Sequence, residues 1–108
     1  MKKTKLGEFE ELVLLTVIVL QEEAYGVMIK KELEERLQES LSVGSIQSAL
    51  KRMEEKGFLK STFGEATARR GGKRKRIYMA TPHAQEVLEE IKAIRTGLWT
   101  SIIKLNLQ

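Results

Sequence analysis

The chain has no cysteine and no aspartate, and only one histidine and one proline, in 108 residues. Without thiols there is neither a disulfide framework nor a thiolate metal site. His83 is the sole imidazole and every acid is a glutamate, so no nucleophile, base and acid set and no usual cluster of metal ligands can be assembled. No Walker or dinucleotide glycine motif is present either. The chain is therefore expected to be non-enzymatic, with no catalytic residue, no metal and no cofactor. Long apolar runs are also lacking. Leu12 to Leu20 is about half of the roughly 20 residues that a bilayer span requires, and the Gln21-Glu22-Glu23 that follows is a poor leader-cleavage site. Neither a membrane helix nor a cleaved leader is expected, and a reducing, cytoplasmic location is compatible with the missing cysteines.

What is present is a composition able to build one core. Hydrophobic residues make up 42% and charged residues 31%, which suits a single folded domain of this length. The charge is unevenly placed. Residues 58–80 carry seven Lys/Arg against Glu65, a local charge of +6, while the rest carries twelve Lys/Arg and fourteen Glu, a charge of −2. The net +4 is thus a near-neutral body bearing one basic element, Arg69-Arg70-Gly71-Gly72-Lys73-Arg74-Lys75-Arg76. Cations spread around a Gly-Gly turn suit a polyanion, above all nucleic acid.

Periodicity places that element. Phe9, Leu12, Val13, Thr16, Val17 and Leu20 follow helical spacing, and Glu8, Glu10 and Glu11 complement the amino-terminal dipole of a first helix. Its opposite face is apolar too (Leu14, Leu15, Ile18, Val19), which suggests packing against a partner subunit. A second amphipathic helix carries Tyr25, Ile29, Leu33 and Leu37 and ends near Glu39, with surface pairs Lys30/Glu34, Lys31/Glu35 and Glu32/Arg36. Tyr25 is read as core. Ser42 caps a third helix whose apolar face is Val43, Ile46, Leu50 and Met53, and Gly57 ends it in the left-handed region. Leu59 to Phe63 and Ile77 to Met79 alternate with period two and pair as a hairpin whose tip is the basic run. Within the run, Arg69, Arg70, Gly71, Gly72, Lys73 and Arg74 form the tip, whereas Lys75 and Arg76 begin the return strand, where alternation turns one of them away. Thr81-Pro82 starts a last helix. Ala84, Ile91, Leu98 and Leu105 repeat every seven residues there, with Val87, Leu88, Ile94 and Ile102 between them, a short seam for helix pairing that Gly97 weakens.

Three helices, a hairpin with a basic tip and a fourth helix give a mostly α fold with a small β-hairpin, in the order of a winged helix-turn-helix. Residues 1–80 would form the DNA-binding region and 81–108 a dimerisation helix, within one compact unit. In that arrangement the third helix enters the major groove and the hairpin tip meets adjacent phosphates or the minor groove. Its wet face carries Ser45, Gln47, Ser48, Lys51 and Arg52. A glutamine can pair with adenine N6 and N7, and the cations suit guanine or phosphate. The competing use of the same fold is an interaction module for RNA or protein.

The sequence resembles the PadR-like transcriptional regulators along essentially its whole length. The likeness is carried by Ala24-Tyr25-Gly26, Gly44-Ser45-Ile46, the run Leu50 to Leu59, and Arg74 to Pro82. It implies a homodimeric winged-helix repressor of double-stranded DNA whose carboxy-terminal helix makes the dimer. Gln47-Ser48 stands where the family commonly has tyrosine and proline, so the family's base preference does not carry over. His83-Ala84 stands where the family usually has a small acidic or polar residue and glycine. Some relatives bind flat aromatic molecules at the dimer interface beside a tryptophan of the last helix, so Trp99, with Leu98, Phe9 and Val13, marks the expected dimer interface or a site for a small hydrophobic effector.

Overall fold

The computed structural model describes residues 5–64 and 75–105. Four helices and one antiparallel hairpin follow in the order α1 (Glu8–Leu20), a 3-10 turn (Gln21–Glu23), α2 (Gly26–Leu37), α3 (Val43–Glu55), β1 (Leu59–Phe63), β2 (Arg76–Ala80) and α4 (Pro82–Lys104). The β-branched run Val17 to Val19 stays helical inside α1, as its three-turn periodicity demands.

The core lies where α1, α2, α3 and the base of the hairpin meet. Leu14, Ile29, Ile46, Leu50, Met53 and Phe58 are among its fully buried side chains. Packing in so small a core is sensitive to size, since deleting a buried Leu or Phe costs about 2–5 kcal/mol. The expected boundaries hold closely. Ser42 Oγ accepts the Ser45 amide at 3.0 Å to start α3, Gly57 adopts φ 83° just beyond its end, and Thr81 Oγ1 accepts the Ala84 amide at 3.1 Å to start α4. Thr81 does more than cap. Its hydroxyl donates to the Gly57 carbonyl at 2.7 Å, tying the start of α4 to the turn after α3.

Three local readings change. Val43 belongs to α3 but is 62% exposed, because it sits in the first turn at the edge of the apolar arc and beyond the reach of the core. Tyr25 is half-buried rather than core. It is the extended residue before α2 and makes a single bridge to Ile77, adding a one-residue third strand to the hairpin. Glu34 accepts not only from Lys30 Nζ at 3.0 Å but from the Leu41 amide at 2.8 Å, so it braces the turn between α2 and α3. The Leu41 amide and then Lys30 hold its carboxyl below the usual range. Arg36 pairs with Glu32 at 2.8 Å, whereas Lys31 and Glu35 make no pair.

Helix α4 leaves the body. Ala84 is buried and Val87 and Leu88 pack on the core, but Ile94, Leu98, Trp99, Ile102 and Leu105 are exposed. The described chain is accordingly elongated, 59 × 30 × 21 Å. Among the described residues no helix is long and apolar enough to cross a membrane.

Candidate nucleic-acid interface

The hairpin register fixes what stands beside α3. Leu59 pairs with Ala80, Ser61 with Tyr78 and Phe63 with Arg76. Directly opposed residues share a face, so this face runs from the core, at Leu59 and Tyr78, out to an exposed end at Phe63 and Arg76. There the Arg76 guanidinium lies 5.0 Å from the Phe63 ring centroid. The pairing continues one step further, with the Gly64 amide donating to the Lys75 carbonyl at 2.7 Å. Arg69, Arg70, Gly71, Gly72, Lys73 and Arg74, the expected tip, lie outside the described residues.

Lys75 and Arg76 do not diverge as simple alternation suggests. Lys75 precedes the strand, and its ammonium sits 4.1 Å from the Tyr25 ring centroid. Both cations line one open groove of about 600 Å³ together with Tyr25, the first residues of α2, and Gln47 of α3. The aromatic faces hold the cationic stems in place, each contact contributing about 0.5–1 kcal/mol at such exposure. The start of α2 adds positive potential of its own, because Tyr25 supplies no side-chain cap and, among the described residues, the first-turn amides remain open donors. The groove therefore offers hydrogen-bond donors and two cations, a setting for phosphate oxygens.

On α3 the buried arc is Ile46, Ala49, Leu50 and Met53, and Ser45, Gln47, Ser48, Lys51 and Arg52 all face outward. They are not equivalent. Gln47 lies against the start of α2, where a Cβ added at Gly26 would come within 2.8 Å of its Nε2. Glycine at position 26 is thus what allows the amide to occupy that place. Ser45 Oγ donates to the Ser42 carbonyl at 2.9 Å, so this serine is partly committed to the helix start.

Arg52 is committed further. Its Nε donates to Glu10 Oε2 at 2.9 Å, and Lys56 Nζ donates to Glu10 Oε1 at the same distance. The Gly7 amide donates to Glu10 Oε1 at 2.8 Å. Burial by itself would raise the Glu10 pKa, but the Gly7, Lys56 and Arg52 bonds together outweigh it and hold the carboxyl below its ordinary value. Glu10 thereby clamps the second half of α3 to the start of α1, leaving only the terminal guanidinium nitrogens of Arg52 for a ligand. The sequence showed Glu10 merely as one of three acids in a helix start, and nothing local pointed to partners more than forty residues away.

Arg95 Nη2 bonds Glu11 Oε1 at 3.1 Å, linking α4 to α1. Beside this bridge a groove of about 280 Å³ is lined by Leu15, Leu88, Lys92 and Trp99. Trp99 and Leu98 are 65% and 62% exposed. Val13, by contrast, is fully buried between α1 and the rest of the core and cannot contribute to an interface, because it lies on the inward face of α1. Phe9 is partly buried and packs on the same core.

Comparison with protein families matches residues 14–99 to the transcriptional regulator PadR-like family. No curated protein matches the chain. Among solved structures, a PadR-like transcriptional regulator from Bacillus cereus is 28% identical, with a TM-score of 0.70 over 93% of this chain and 92% of that one. A PadR family regulator from Eggerthella lenta is 27% identical, TM-score 0.67, over 91% and 85% of the two chains. Another from Clostridium difficile reaches 34% identity, TM-score 0.58, over 87% and 92%.

Proposed function

Because this chain belongs to the PadR-like family of transcriptional regulators, we propose that it is a homodimeric repressor that binds duplex DNA sequence-specifically through α3 and the basic residues 69–76. Two copies of α3 enter successive major grooves of an inverted repeat, about one helical turn apart. Gln47, Ser48 and Lys51 face the base edges. Arg69, Arg70, Lys73 and Arg74, with Gly71 and Gly72 between them, take the neighbouring phosphates or minor groove.

The observation that carries this reading is the shared side of the molecule. Gln47, the open amides of α2, and Lys75 and Arg76 all border one groove. Base-reading and phosphate-holding chemistry therefore face the same ligand. The exposed apolar stripe of α4 supports the dimer, since a lone helix with Ile94, Leu98, Trp99 and Ile102 in water is a pairing surface. A small aromatic effector would stack on Trp99 at that seam and, by linkage, weaken operator binding by the same factor by which DNA weakens its own binding.

The test is selection from random duplex DNA by the purified chain, with single-stranded DNA and structured RNA as competitors and sedimentation to fix the stoichiometry. An inverted-repeat duplex bound by two copies is expected. A monomer that prefers RNA or single strands would favour the interaction-module reading instead.

A further inference from the structure

We propose that Val43 reads a thymine in the operator through the C5 methyl group, beside the base contacted by Gln47. The inference rests on α3 being the major-groove helix and adds a specificity-determining contact that is apolar.

Val43 is the first residue of α3 and is 62% exposed. A recognition helix presents its amino-terminal residues to the base edges, so an exposed valine at that end lies against bases rather than phosphates. Its position is held firmly. Ser42 Oγ accepts the Ser45 amide and the Ser42 carbonyl accepts the Ser45 hydroxyl, so the first turn is closed from both sides. A β-branched side chain on such a backbone has essentially one rotamer, which fixes the two methyls. Gly44 follows with no side chain, so nothing on the next residue keeps a base edge from approaching.

Val43 and Gln47 are four residues apart and share a helix face. Both border a second groove, of about 290 Å³, together with Val27, Lys31 and the Lys30–Glu34 ion pair. Val27 is 73% exposed on the neighbouring turn of α2. The valines form an apolar point flanked by an amide, the Lys31 cation and the Lys30–Glu34 ion pair; it does not suit an acidic protein surface, which would leave it unpaired. It suits the major groove beside thymine, because thymine alone presents an apolar group there.

The experiment uses the selected operator, with each thymine replaced in turn by deoxyuridine, which removes only the methyl. At one position per half-site the wild-type protein should lose about fourfold in affinity, the transfer value of one buried methyl group. Val43→Ala should bind the parent operator correspondingly less well and be less sensitive to that substitution, with a nearly unchanged melting temperature because the side chain is mostly exposed and an unchanged salt dependence because no charge is altered. Val43→Thr, which keeps one of the two methyls, should fall between wild type and the alanine variant. If no thymine shows a methyl effect that depends on residue 43, the proposal is overturned while DNA binding stands. If the selection recovers no duplex, the reading of α3 falls and this inference with it.

Discussion

Replacing Glu10 by glutamine removes the charge that holds α3 to α1 while keeping an acceptor for the Gly7 amide. The magnitude follows from where the partners sit. Glu10 is 4% exposed, and breaking a fully buried pair costs about 3–5 kcal/mol. The side chains of Arg52 and Lys56, however, are 49% and 34% exposed, so both cations can turn to water once the carboxylate is gone. An exposed pair contributes only about 0–1 kcal/mol. The intermediate geometry places the loss at about 2 kcal/mol, close to one charged hydrogen bond, and the melting temperature should fall by roughly 8–10 °C. Thermal unfolding by circular dichroism, at one fixed protomer concentration, reads this directly. The pH dependence gives an independent check. Glu10 has a lowered folded pKa, so its contribution is complete above the unfolded carboxylate value of about 4.3 and is lost as pH falls through the folded value. The gap between wild type and Glu10→Gln should therefore be full at pH 7 and close in acid. A gap under about 2 °C at pH 7, or one that persists undiminished below both pKa values, would refute the clamp.

Other substitutions probe separate parts of the account. Gly26→Ala should leave stability unchanged or raise it by up to about 0.5 kcal/mol, alanine being the better helix former, yet push the Gln47 amide aside. Its operator affinity should drop about as much as that of Gln47→Ala, about 1–2 kcal/mol, and the two losses should not add; additive losses would show that the contact does not position Gln47. Gln21 has φ 53° and ψ −123°, a conformation that favours glycine, so Gln21→Gly should stabilise by about 1 kcal/mol, and a lower melting temperature would contradict that. Leu98→Glu should weaken self-association by at least about 3 kcal/mol, more than a hundredfold, if Leu98 is buried in a dimer. An unchanged sedimentation profile would place the interface elsewhere.

Periodic apolar spacing, the Ser42 and Thr81 caps and Gly57 were enough to place all four helices and the hairpin, because each is a local signal. What stayed hidden depends on neighbours distant in the chain. Val43 continues the apolar spacing of α3, but only the packing of the body decides that its first turn projects past the core. Tyr25 looked like a core aromatic, yet its pairing with Ile77 turns its ring toward Lys75. Glu10 resembles its neighbours Glu8 and Glu11 until α3 brings Arg52 and Lys56 against it. The outward face of α3 was legible in full as a set, but not its division into groups such as Lys51, unbonded among the described residues, and partly committed ones such as Arg52. Val13 shows the reverse error, since an all-round apolar helix does not reveal which face its own core takes.

The central claim, that one side of this molecule holds duplex DNA through α3 and the basic segment, is tested most directly by operator affinity measured against salt. With about six to eight phosphate contacts per dimer, log affinity should fall against log salt with a slope of roughly −5 to −7. In the variant with Arg69, Arg70, Lys73 and Arg74 replaced by alanine, binding should weaken for every duplex and the slope should flatten by several units. A variant slope equal to that of wild type would contradict the role of the basic segment, and a wild-type slope near zero would contradict DNA binding through this face altogether.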